Sequence, residues 1–169
     1  MYETEAELEA LQALIDSSYE RAGAHAKSII TPERMLSARQ VARLAGDKQV
    51  HLAMATVSSK GEPRVSPIDG LLLHGRFYGL TSAASLRARH LRARPSVSIS
   101  FFRGDDFAIT VHGRAELIGE DHPDFALVDK EVKRIYGSSL TDWGEEIVAI
   151  RVHAERILTY AGRAEDFPE

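Results

Sequence analysis

At 169 residues, with 44% apolar and 27% charged side chains, the chain is sized for one domain with a sizeable core, and its composition excludes a disordered polypeptide. A net charge of −4 offers no general attraction for nucleic acid or anionic lipid. No apolar run approaches the roughly 20 residues that span a bilayer. With no cysteine there is no disulfide, thiolate metal site or cysteine nucleophile, so any redox chemistry must come from a bound cofactor. The seven histidines show no metal-ligand spacing such as His-x-x-x-His, and no metal is expected. The acidic start, Met1 to Glu7, is unlike a secretory signal and predicts a cytoplasmic protein.

In chain order, Leu8, Leu11, Ile15, Tyr19 and Ala22 recur at helical spacing behind a Thr4–Glu7 capping box. Gly23 ends or loosens that helix. Thr31-Pro32 opens a short helical piece, and Ser37–Gln40 repeats the capping pattern before a helix that closes near Gly46. From Val50 the period changes to two. Strands are predicted over His51–Val57, Pro63–Leu73 and Arg76–Leu80, with turns at Ser58–Gly61 and His74-Gly75. Ser96–Arg103 alternates, with Val97, Ile99 and Phe101 on one face and Ser96, Ser98 and Ser100 on the other. Phe107–Ile118 follows the turn at Gly104–Asp106, with Phe107, Ile109, Val111, Ala115 and Leu117 sharing a face. Pro123–Tyr136 returns to helical spacing, with Phe125, Val128, Val132 and Ile135 on one side, and Glu146–Tyr160 is a long last strand. Hairpin-linked strands of this kind predict a mainly β, antiparallel barrel with flanking helices. The division expected is a helical N-terminal extension over 1–46 and a barrel domain over 47–169.

The segment Thr81–Leu91 carries the clearest chemical signal. Thr81, Ser82 and Ser85 supply hydroxyls between a strand and a helix, the helix N-terminus presents unpaired N–H groups, and Arg87 adds a guanidinium. Hydroxyls, helix N-terminus and guanidinium together make a phosphate grip. Taken alone, Arg87 belongs to a solvated helix face with Arg89, Arg92 and Arg94; the preceding Thr-Ser-x-x-Ser and the flanking strands turn the reading to phosphate binding. His112 reads as a structural or solvent-facing residue, Trp143 as a packing residue, and Tyr136 and Tyr160 as proton donors that nothing places beside a reacting group.

Three pieces of this sequence, Arg64-Val65-Ser66-Pro67, Thr81-Ser82-Ala83-Ala84-Ser85-Leu86-Arg87 and Pro95-Ser96-Val97-Ser98-Ile99, occur in the order found in the flavin-binding split β-barrel family. The chain resembles that family, pyridoxamine 5′-phosphate oxidase and its relatives, over roughly Val50 to Leu117. The resemblance implies a split barrel that binds FMN, with Thr81, Ser82, Ser85 and Arg87 around the terminal phosphate. Arg64 is implied near the phosphate or ribityl chain, and the backbone of Val65 and Ser66 beside the ring. It also implies a homodimer with the cofactor at the interface, acting as an oxidoreductase on a small organic substrate. Two departures speak against pyridoxamine phosphate oxidase activity itself. Ile68-Asp69 stands where the oxidase has a basic residue, and the C-terminus lacks its arginine-rich, tryptophan-containing segment. The same fold also serves the deazaflavin coenzyme F-420, and the extra arginines at 89, 92 and 94 suit its longer anionic tail. A module that binds flavin or haem without turnover is a further alternative, since no catalytic side chain is recognisable.

Overall fold

The computed structural model describes residues 3–46, 48–144 and 146–169; Met1 and Tyr2 of the expected extension, Asp47 and Glu145 lie outside the described residues. Three α-helices come first: α1 (Glu5–Glu20), α2 (Ala24–Ile29) and α3 (Ala38–Ala45). Strands β1 (Val50–Val57), β2 (Pro63–Leu73) and β3 (Arg76–Ser82) lead to α4 (Leu86–Ala93), then β4 (Ser96–Arg103), β5 (Phe107–Ile118), α5 (Phe125–Tyr136) and β6 (Ile147–Ala161). The six strands are antiparallel and close into a barrel in the order β1-β2-β3-β6-β5-β4. The barrel is predominantly β with flanking helices, as the strand periodicity predicts.

Local chemistry places the element ends. Thr4 and Glu7 exchange hydrogen bonds across the first turn of α1, and Ser37 and Gln40 do the same for α3. In the β2–β3 turn His74 and Gly75 both take positive φ, the hairpin geometry that follows the right-handed strand twist. The β1–β4 seam is the narrowest pairing, running only from Ala53–Ser100 to Ala55–Ser98.

One hydrophobic cluster fills the barrel and extends out of one open end into α1 and α3. It joins Leu52, Met54, Ile99 and Ile109 to Leu8, Leu11, Ile15 and Val41. At the other end α4 contributes Leu91. A second cluster lies outside the barrel, where Val128 and Val132 of α5 cover Leu71, Tyr78, Leu80 and Ile118.

The strand β6 is longer than its neighbour β3, whose pairing stops at Tyr78–Arg151. Beyond that point α1 covers the open edge of β6. Ser18 accepts a hydrogen bond from the Ile157 amide at 3.0 Å, and the Arg21 guanidinium donates to the Glu155 carbonyl. The Thr159 hydroxyl bonds both the N–H and the C=O of Leu36. The Ser18 and Arg21 side chains take the place of a missing strand, which would otherwise leave edge groups of β6 exposed for pairing with another chain.

The candidate cofactor site

The candidate site forms where the last residues of β3 meet the first turn of α4. Ser85 is the N-cap of α4 and accepts from the Ala88 amide at 3.1 Å. The Thr81 hydroxyl donates to Ser85 Oγ at 3.1 Å and accepts from Arg87 at 3.1 Å, and Thr81 is itself buried. The other end of the Arg87 guanidinium donates to Ser66 Oγ at 2.6 Å and to the Pro67 carbonyl at 2.9 Å. The register explains the meeting. The β2–β3 pairing ends at Asp69–Leu80, so Ser66 and Pro67 of β2 and Thr81 of β3 all lie just past the same end of the ladder, next to the start of α4.

Burial lowers the Arg87 guanidinium from its ordinary value, yet an arginine stays cationic at neutral pH. Its Nε is buried with no acceptor. The N–H groups of Leu86 and Arg87, in the first turn of α4, have no carbonyl partner within the helix. The loop ahead of it is stiffened from within. Ser82 accepts from the Ala84 amide at 3.3 Å, and Arg92 donates to the Ala83 carbonyl at 2.7 Å.

Four of the residues expected from the sequence thus form one hydrogen-bonded group: Ser66 and Thr81 bond the Arg87 guanidinium, and Ser85 bonds Thr81. Ser82 lies in the same loop but turns its hydroxyl to backbone. Arg64 does not join them; it bonds Glu62 at 2.5 Å and the Pro63 carbonyl. Val65 is 68% exposed on the outer face of β2. The resemblance implies only a backbone role for Ser66, whereas its hydroxyl holds Arg87; the signal for this is register, which no local motif carries. Of the three extra arginines, Arg92 and Arg94 bind the backbone carbonyls of Ala83 and Ser59, and Arg89 is exposed.

The remaining candidates lie elsewhere. His112 pairs with Ser98 on the outer sheet face at 2.8 Å. Trp143 packs edge-to-face on Tyr136 at 5.3 Å. The Tyr136 hydroxyl is buried near Asp69; burial first, and the Asp69 carboxylate second, push it above the ordinary phenol range. Tyr160 lies under the Arg34 guanidinium at 5.9 Å. A cluster unseen in the sequence gathers on Glu116, which accepts from Arg151, His153 and His122; Arg151 also pairs with Asp124 before α5. Hydrogen bonds from Arg151 and His153, reinforced by His122 against the opposing effect of burial, hold Glu116 at about 2.

Residues 39–161, which include the whole barrel, match the family model described as pyridoxamine 5′-phosphate oxidase. The chain belongs to the pyridoxamine 5′-phosphate oxidase family. Solved structures share the fold at low identity. A conserved hypothetical protein from Mycobacterium tuberculosis is 21% identical, with 82% of this chain and 92% of that one covered and a TM-score of 0.65. An FAD-binding protein from Mesorhizobium loti is 22% identical over 73% of this chain and 92% of its own, with a TM-score of 0.57. An F-420 reductase is 18% identical over 80% and 98%, with a TM-score of 0.52. Among curated proteins the sequence finds no match. Among the described residues, no helix of this family member is long and apolar enough to cross a membrane.

Proposed function

We propose that this chain binds FMN, with the terminal phosphate at the Thr81–Arg87 loop, and acts as an oxidoreductase on a small organic substrate. Arg87 carries the reading. It is a half-buried cation, held by Ser66, Thr81 and Pro67 at the start of α4, with one buried N–H that lacks an acceptor. A guanidinium fixed in this way loses little freedom on meeting a phosphate, and the open N–H groups of the helix start face the same charge. The residues present fit a phosphate-tailed cofactor: hydroxyls at 66, 81 and 85, a cation, and no carboxylate bonded to that cation. A bound flavin would supply reversible hydride chemistry from its own ring. The protein's part is to hold the phosphate with Arg87 and to keep the loop rigid through Ser82 and Arg92. Arg64 joins only if it leaves Glu62.

The outer face of β1, β4 and β5 supports a homodimer as the working form. Ala53, Ala55, Ser98, Ser100 and Thr110 make a charge-free, partly exposed strip. Titrating FMN and F-420 into the protein, followed by Trp143 fluorescence and by absorbance, tests the cofactor. Saturable FMN binding that tracks Arg87 supports the reading, and binding of neither cofactor overturns it. The alternative in F-420 draws on Arg89, exposed on the same helix as Arg87. It is favoured if F-420 binds much more tightly than FMN and its affinity falls steeply with salt. Binding of a cofactor that no nicotinamide reductant can reduce, alone or through a partner reductase, would instead indicate a module without turnover.

A further inference from the structure

A cavity of about 490 Å³ lies away from the phosphate loop, in the notch where α1 takes over from β3 as the neighbour of β6. A strand beside β6 would sit about 4.8 Å away, but a helix cannot approach so closely, and the change from one neighbour to the other leaves a gap at residues 152–154. The notch has an aliphatic wall made by Leu11 and Leu14 of α1, Leu127 of α5, and Ala154 and Ile157 of β6. Leu127 is one of the few large apolar side chains left exposed, at 40%. The volume falls within the range of small-molecule sites.

The polar side chains of the notch are hydrogen-bonded to one another, with one exception. Glu7 is bonded to His74 at 3.0 Å, and Asp124 is paired with Arg151, whose remaining donors reach Glu116. Glu116 also accepts from His153 at 2.6 Å. Arg76 alone lines the notch as a charge that makes no ion pair or side-chain hydrogen bond among the described residues. Carboxylates only accept, so His74 and His153 turn protonated nitrogens to Glu7 and Glu116, and their other ring nitrogens have no partner among the described residues. An unpaired guanidinium in a notch lined also by two imidazoles and an aliphatic wall matches a ligand with one anionic end and a hydrocarbon body. His74 also holds a positive φ of 52°, a conformation that a side chain other than glycine seldom adopts, and its bond to Glu7 ties the turn to α1 across the notch.

We propose that this notch binds a small aliphatic carboxylate, with its acid group at Arg76 and its tail against Leu14, Leu127 and Ile157. The site is independent of the phosphate loop. Thr81 and Arg76 stand near opposite ends of β3, about 17 Å apart along the strand. The test is calorimetric titration of the full-length protein with octanoate and, separately, with octanol, which has the same tail and no charge. Octanoate is expected to bind saturably, one per chain, and about tenfold more tightly than octanol. Arg76→Ala should remove that advantage and leave octanol unaffected, while Leu127→Asp, at the exposed rim, should weaken octanoate. Saturating FMN should change none of these values, so a failure of the flavin reading would leave this one standing. Equal affinity for the two ligands, octanoate binding that survives Arg76→Ala, non-saturable uptake, or no binding would each overturn it.

Discussion

At the scale of single residues, the candidate site turns on Arg87. Ser66 and Thr81 hold opposite ends of its guanidinium, 2.6 and 3.1 Å away, so its orientation exists before any ligand arrives. Removing it should therefore cost the whole charged interaction and not just a flexible contact. Arg87→Ala is expected to weaken FMN binding by about 1.5–3 kcal/mol in a fluorescence titration, the range for hydrogen bonds to a charged group. An unchanged dissociation constant would take Arg87 out of the site. Glu116 makes the complementary case among the acids. Its folded-state value of about 2 lies below the ordinary 4.5, so its bonds to Arg151, His153 and His122 stabilise the fold above the ordinary value. That contribution is lost as pH falls from the ordinary carboxylate range toward 2. Glu116→Gln should lower the melting temperature at pH 7, with the gap to the parent narrowing as the pH approaches 2. Partial exposure of the carboxylate keeps the effect modest.

At the scale of elements, two joints decide how β6 is held. The first is the Ser18 hydroxyl, which donates to the Leu14 carbonyl and accepts from the Ile157 amide at a fully buried position. Ser18→Ala leaves that amide without a partner and should cost about 1–3 kcal/mol in chemical denaturation. The second is a bulge. The pairing of β5 with β6 runs from His112–Arg156 to Gly113–Ala154, skipping Glu155. Because of that extra residue, Ile150 and Val152 face the core on one side of it and Ile157, Thr159 and Ala161 on the other, a change from even to odd positions. The opposing backbone comes so close that a Cβ on Gly113 would lie 2.0 Å from the His153 carbonyl oxygen. Gly113→Ala should thus shift or break the bulge and destabilise the protein by about 2–4 kcal/mol, readable as a fall in denaturation midpoint. The bulge was present in the sequence as the broken alternation between Val152 and Ile157. Four polar or small residues in between hid the point at which the period changed.

For the whole molecule, the helices at the start of the chain act as part of the barrel's core. Leu8, Leu11 and Ile15 belong to the cluster that fills the barrel, and each fully buried side chain of this kind is worth about 1.5–3 kcal/mol. Their sum approaches the stability of an ordinary domain, about 5–15 kcal/mol. Deleting α1 is therefore expected to abolish the cooperative thermal transition, and a truncated protein that melts as the parent does would refute that role. Much of this architecture was legible in the sequence. The alternation of Val97, Ile99 and Phe101, the capping boxes at Thr4 and Ser37, and the apolar face of α5 arise from periods and local hydrogen bonds that a sequence carries within a few residues. The hydroxyl-rich loop before Arg87 was legible for the same reason, because a helix N-terminus and its cap are local. What tertiary structure alone decided were the meetings across long separations. Ser66 reaches Arg87 through the registers of β2 and β3, Glu116 gathers two histidines and Arg151 across a bulged strand pair, and α1 seals the edge of β6. Each depends on how far one strand slides against another, and a slide of one residue reverses which side chains face each other without altering any local pattern.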